Sequence, residues 1–176
     1  MRKKLAILII TILSLGMILV GCKSKTPTEV VNAYFTELKN GDSEQAAEFI
    51  ESNTSQTDEA DETDKVMEEA LKLYLSKIDA KVLSEEISGD NATVEVEING
   101  PNFSIIMGEV IDKSLADAFS GVDTDEYYIS KVFLEKVESS TSETRTGKVH
   151  LIKEGNEWEV KSDDEIVNLI LGEYYE

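Results

Sequence analysis

The run from Asn91 to Asn99 sets the tightest limit on the fold. Ala92, Val94, Val96 and Ile98 alternate there with Thr93, Glu95 and Glu97. Side chains on a strand point to opposite faces with a period of two, so one face is apolar and the other acidic. A strand of this kind belongs in an antiparallel sheet with one face covered and one face wet. Gly89-Asp90 before it is a hairpin signal, and Gly100-Pro101 after it ends it, because proline has no N–H for the ladder. The preceding arm, Ala80 to Ser88, reads as a strand of irregular alternation. A second hairpin is predicted from Glu143–Lys153 and Glu157–Lys161, turning at Glu154-Gly155-Asn156. Val149 and Leu151 share a face of its first arm, and Trp158 and Val160 share one on the second. That phase puts Trp158 on the helix-covered side as a core anchor, against Val30, Tyr34 and Leu38.

Helical spacing fills the rest. Thr26-Pro27-Thr28-Glu29 is a helix start: Thr26 caps, Pro27 suits the first turn and Glu29 completes a capping box. Val30, Val31, Tyr34, Phe35 and Leu38 form its apolar stripe, and Asn40-Gly41 ends it. Asp42 caps a second short helix with Ala46, Ala47, Phe49 and Ile50. A third is expected from about Thr63 to Ile78, with Val66, Met67, Ala70, Leu71, Tyr74 and Ile78 on its face. Asn102 to Ser120 reads as a helix carrying Phe103, Ile106, Met107, Val110, Ile111, Leu115, Ala118 and Phe119, closed by Gly121. Thr124 to Glu138 carries Ile129, Val132, Phe133 and Val137. A last helix opens at Asp163-Asp164-Glu165, with Ile166, Ile170 and Leu171 inward.

The N-terminus is of another kind. Arg2, Lys3 and Lys4 precede Leu5–Val20, sixteen residues without a charge. A membrane-crossing helix needs about 20 apolar residues, and Lys23 and Lys25 follow at once, so the stretch reads as an export signal. Leu19-Val20-Gly21-Cys22 resembles a bacterial lipobox. The resemblance implies cleavage between Gly21 and Cys22 and a diacylglyceryl group on the Cys22 sulfur. Two acyl chains hold where one holds only marginally, each buried CH₂ contributing about 0.8 kcal/mol. The expected location is the extracytoplasmic face of the cell membrane.

Removing residues 1–21 leaves 155 of 176 residues, enough for one domain with a core. Arg2, Lys3 and Lys4 leave with them, so 14 basic residues face 36 acidic ones and the net charge becomes −22. That excludes nucleic acid and an anionic bilayer surface as partners. Cys22 is the only cysteine and His150 the only histidine, so no disulfide and no Cys or paired-His metal site can form. No cofactor is expected. The run 51–64 has no large apolar residue and reads as a solvated loop. Its acids fail the calcium-loop pattern, since counting from Asp58 puts Ala60 at position three and Thr63 at position six.

No catalytic residue is assigned. Histidine as a residue type suits acid–base work near neutral pH, but alternation places His150 opposite Val149 and Leu151 as an exposed sheet residue. Tyr34, Tyr74 and Tyr128 could donate hydrogen bonds into a pocket, or simply be core tyrosines. There is no phosphate loop, no Ser-His-Asp pattern and no nucleophilic cysteine in the mature part.

The order of elements, together with Thr26-Pro27-Thr28-Glu29-Val30-Val31, Tyr34-Phe35, Lys39-Asn40-Gly41-Asp42, Ala92-Thr93-Val94, Ile98-Asn99-Gly100-Pro101-Asn102 and the Trp158 strand, resembles an uncharacterised family of Gram-positive lipoproteins. The domain resembles the nuclear-transport-factor-2-like (cystatin-like) α+β roll. That resemblance implies a curved antiparallel sheet packed by N-terminal helices, a helical pair between two hairpins, a C-terminal helix, and a cone-shaped pocket between sheet and helices. The expected organisation is a signal peptide over 1–21, a lipidated cysteine and short tether over 22–26, and one roll domain over 27–176. The expected role is a ligand-binding or accessory module of the cell envelope, taking a small apolar ligand or an envelope protein. The alternatives are a pocket enzyme of isomerase or dehydratase type, and a structural partner of another envelope protein.

Overall fold

The computed structural model describes residues 24–41 and 62–172. The export stretch, Gly21, Cys22, the helix expected after Asp42 and most of the acidic run lie outside the described residues. The end of that run is helical: Glu62 and Asp64 sit in the first turn of a helix, where carboxylates favour the positive end of the dipole.

The described chain is mixed α+β, with five helices and one open antiparallel sheet of four strands. In order these are α1 (Pro27–Asn40), α2 (Glu62–Ser76), β1 (Asp79–Ser88), β2 (Asn91–Gly100), α3 (Phe103–Phe119), α4 (Glu126–Ser139), β3 (Glu143–Glu154), β4 (Glu157–Val160) and α5 (Asp164–Leu171). The strands lie side by side in chain order, although α3 and α4 intervene between β2 and β3. The second hairpin's outer arm stops at Val160, one residue short of the expected Lys161.

The capping box at the start of α1 is complete. Thr26 Oγ1 accepts from the Glu29 N–H at 3.2 Å, and the Thr26 N–H donates to Glu29 Oε2 at 2.8 Å. Gly41 ends the helix in the left-handed region, φ 70°. The irregular alternation of β1 has a cause in the register. Ala80 and Val82 face Ile98 and Val96, a bulge falls at Leu83, and Glu85 and Ile87 then face Val94 and Ala92. One extra residue moves the inward set from even to odd positions. Glu85 is thereby turned to α1, where its carboxylate accepts from the Thr28 N–H at 2.8 Å and from Thr28 Oγ1 at 2.7 Å.

The inner face of the sheet pairs Ala92 with Leu151, Val94 with Val149, Val96 with Gly147 and Ile98 with Arg145. The apolar members are buried, as their alternation predicts. Helix α1 lies across this sheet and touches β1, β2 and β4, while α2 packs on α1 and α4, and α3 on α4. At 1.5 Å per residue α1 is about 21 Å long, more than the roughly 14 Å between the outer strands of four, so one helix reaches both edges. The cone expected between sheet and helices is filled by Val31, Phe35, Leu38, Leu71, Tyr74, Leu75 and Ile78. Leu75 and Leu169 join this core although the helical faces read from spacing omit them.

Helix α3 departs from its expected face. Ile106 and Val110 are buried, but Ile111 (54 % exposed), Leu115 (53 %) and Phe119 (90 %) stand in solvent. Phe103, Met107, Ile111, Leu115 and Phe119 follow one another every four residues. At 3.6 residues per turn such a row drifts about 40° per step, so it winds from the core side to the solvent side. Trp158 is also less buried than expected. It is half-buried at the margin of the core, with Lys153 Nζ 5.5 Å from its ring centroid on the open side.

Strand β4 pairs only with Leu151–Glu154, which leaves the rest of that β3 edge without a strand. Helix α5 packs against β3 instead. Its Glu165 accepts from the Lys148 N–H at 3.2 Å, and the Leu169 side chain fills the space left by Gly147, where a Cβ would stand 3.0 Å away.

Candidate functional site

Two hollows and two side-chain clusters are the candidates. The first hollow is an apolar groove of about 210 Å³ between α2, α3 and α4. Met67 and Leu71 enter it from α2, Phe103, Met107 and Val110 from α3, and Ile129 and Phe133 from α4. Its floor is rigid. Phe103 stands edge-on between Tyr74 and Phe133, with ring centroids 5.6 and 5.7 Å away, a geometry that aromatic quadrupoles favour. The two methionines in the lining, Met67 and Met107, are part-buried, unbranched and adaptable, the chemistry of a surface that reshapes around an apolar guest. Among the described residues no lining side chain is ionisable.

The second hollow, about 150 Å³, lies where α3 and α4 approach the start of β3 and is lined by Asn102, Ile105, Ile106, Glu109, Lys136, Glu143 and the Ser139–Thr141 turn. Its charged groups and Asn102 are engaged, mostly with one another. Lys136 pairs with Glu109 at 3.3 Å. Asn102 accepts from the Ile105 N–H and donates to Glu143 Oε1 at 2.8 Å and to the Gly172 carbonyl at 2.9 Å.

His150 has company that its strand pattern does not reveal. Its Nδ1 lies 2.9 Å from Asp163 Oδ2, and Nε2 lies 3.9 Å from Glu165 Oε2. The carboxylate only accepts, so the ring N–H donates. The ring is therefore half-buried and oriented, not the free sheet histidine expected. Burial works to raise the Asp163 pKa, but the bonds from His150 and from the Ile166 N–H outweigh it, and the carboxyl is held below its ordinary value. His150 lines neither hollow. It has an orienting partner, but neither hollow among the described residues opens onto it, and a general base needs a substrate space as well as a partner.

The second cluster joins α3 to α4. The Tyr128 hydroxyl donates to Asp117 Oδ2, and Lys113 Nζ donates to the same oxygen at 2.9 Å. The Tyr128 bond first, then that from Lys113, pulls the Asp117 pKa down, and the carboxylate raises the pKa of Tyr128 and of Lys113. Each group is thus held in its ordinary neutral-pH form, the reverse of what acid–base work requires. Tyr74, another candidate donor, is buried and donates to the carbonyls of Pro101 (3.2 Å) and Ile170 (3.0 Å).

Sequence reasoning passed over Arg145, the one basic side chain in the core among the described residues, 4 % exposed. Its Nε donates to the Leu169 carbonyl at 2.6 Å, Nη2 to Ile170 at 2.7 Å, and Nη1 to Gly100 and Pro101 at 3.2 Å each. Two of those carbonyls end α5, where a cation suits the negative end of the dipole. Arg145 shares its parity with Val149 and Leu151, and that inward phase is the signal that could have found it. It is a buried clamp with four hydrogen bonds to backbone carbonyls, so its role is to hold the fold. Among the described residues no group of three or more acidic, histidine or cysteine side chains could hold a metal ion, and no helix is long and apolar enough to cross a membrane.

Comparison with known proteins adds one distant likeness. No protein-family model matches the chain, and no curated protein matches it. Among solved structures it is similar to a candidate lipoprotein (ycdA) from Bacillus subtilis, at 21 % identity and a TM-score of 0.49. The match covers 83 % of this chain and 46 % of that one, so this chain spans less than half the length of its neighbour.

Proposed function

We propose that this protein is a lipid-anchored, extracytoplasmic binding or accessory module of the cell envelope, held through Cys22 after cleavage behind Gly21. The sheet with its helices is read as a nuclear-transport-factor-2-like roll, on the order of its elements, within the Gram-positive lipoprotein family that the sequence resembles. The observation that carries the binding role is the groove between α2, α3 and α4. Its described lining is apolar, includes two adaptable methionines, and holds no acid, base or nucleophile. Small-molecule sites usually enclose about 300–1,000 Å³, and a cavity of about 150 Å³ already takes a benzene ring. A volume near 210 Å³ therefore suits one aromatic or branched aliphatic group and not a whole substrate. An isomerase or dehydratase would need a carboxyl in that space, and the lining has none.

Two measurements test this reading. Metabolic palmitate labelling should mark the wild type and not Cys22→Ala; equal labelling of both would remove the anchor. Methyl NMR of Met67 and Met107 during titration with N-acetyl-phenylalanine amide should show saturable shifts. Shifts at His150 in their place would move the site to strand β3 and reopen the enzymatic alternative.

A further inference from the structure

We propose that the solvent-facing ridge of α3 is the docking surface for an envelope protein that presents an amphipathic helix with basic flanks. The inference goes beyond the groove-binding reading, because the ridge can be covered whether or not the groove is filled. Four observations lead to it. Ile111, Leu115 and Phe119 are exposed at successive turns of one helix, and Val122 continues the patch beyond its end. Single exposed apolar side chains are ordinary, but a contiguous row marks an interaction surface. The row is also continuous with the groove, since Met107 lines the groove and Ile111 stands one turn further along the same ridge. Gly108, Ala116 and Ala118 beside it are exposed and small, and a Cβ added at Gly108 would meet nothing within 4 Å. A partner helix can therefore approach closely, in the manner of helix-in-groove recognition.

Charge selects the occupant. Between Glu109 and Glu126 the chain carries six acids, Glu109, Asp112, Asp117, Asp123, Asp125 and Glu126, against one base, Lys113. Asp117 is paired with Lys113 and Glu109 with Lys136, so the excess negative charge sits on Asp112, Asp123, Asp125 and Glu126. The apolar row is thus rimmed by negative charge. A second copy would bring an identical acidic rim against it, and like charges across an interface cost several kcal/mol. An anionic bilayer is repelled in the same way. A helix with leucine-like side chains on one face and Lys or Arg on its flanks satisfies both features.

The test uses the chain from Lys23 onward, which carries every described core residue, Val31 to Ile170. The probe is a synthetic Leu/Lys amphipathic helix as long as α3, compared with a Leu/Glu helix and with a Ser/Lys peptide of equal charge. Saturable binding of the Leu/Lys helix is expected, with the other two at least about tenfold weaker. Leu115→Ser/Phe119→Ser should lose about tenfold or more while keeping its circular dichroism and melting temperature, because both side chains are exposed. Phe119→Ser alone serves as the milder variant, and Asp112→Lys/Asp123→Lys should also weaken binding. Equal binding of the Leu/Lys helix by wild type and variants overturns the proposal. So does a self-association in sedimentation equilibrium, or an adsorption to phosphatidylcholine vesicles, that Leu115→Ser/Phe119→Ser abolishes. The methionine shifts in the groove are read in the same samples, so loss of ridge binding with the groove intact leaves the first reading standing.

Discussion

Arg145 shows how much one residue can decide. The carbonyls of Leu169, Ile170, Gly100 and Pro101 converge on its guanidinium, and Tyr74 reaches only two of them. Arg145→Met should leave the Leu169 and Gly100 carbonyls without their side-chain donor and cost about 2–6 kcal/mol, at about 1–3 kcal/mol per unsatisfied buried group. Arg145→Lys should not rescue it, because an ammonium lacks the planar fork. Urea unfolding of both variants is the measurement, and a lysine variant with the wild-type midpoint would show that charge alone suffices. Asp163 gives a prediction in pH. Its folded pKa lies below the ordinary 3.8, so its contribution is present above that value and is lost as pH falls through the folded pKa. Asp163→Asn should therefore be less stable at neutral pH, and its melting temperature should fall less steeply than that of the wild type below about pH 4. With that partner in place, His150→Ala should cost about 1 kcal/mol and not behave as wild type. Trp158→Ala, at a half-buried position, should cost less than the roughly 3–5 kcal/mol of a core aromatic.

At the scale of elements, what could be read depended on whether local pattern and tertiary packing agree. The alternation of β2 stands unchanged in the structure because one continuous helical layer covers its inner face. The capping box of α1 stands too, because its bonds are made within four residues. The face of α3 was misread because four-residue spacing marks a ridge and not a buried side, and only the place where α4 ends its cover decides where the ridge emerges. The change of phase in β1 was visible as irregularity, but the bulge that causes it exists only against β2. The groove was not legible either, since α2, α3 and α4 line it from positions far apart in the chain. Helix α5 offers a test at this scale. Gly172 ends it at φ 79°, and a Cβ there would stand 3.2 Å from the Asn102 Cα. Gly172→Ala should cost about 1–2 kcal/mol through left-handed strain and backbone crowding, read as a lower thermal midpoint. A wild-type midpoint would mean that Asn102 and the helix end separate at little cost.

Over the whole molecule, charge is the dominant property. The full chain carries −19, from 36 acidic and 17 basic residues. Self-repulsion on this scale works against the compact state, and salt screens it, the Debye length shrinking from about 30 Å at 0.01 M to about 8 Å at 0.15 M. The melting temperature should therefore rise with sodium chloride over that range. A fall would mean that specific pairs such as Lys136–Glu109 outweigh the general repulsion. The Arg145 clamp has a further consequence, in time. Its strand is made before Leu169 and Ile170, so during synthesis the guanidinium waits for acceptors that come off the ribosome some two dozen residues later. Until they arrive, closing the core would bury a cation with its main partners missing. The chain is thus biased to remain open until Leu169 and Ile170 are available, and a chain cut short before Leu169 has no cheap way to close.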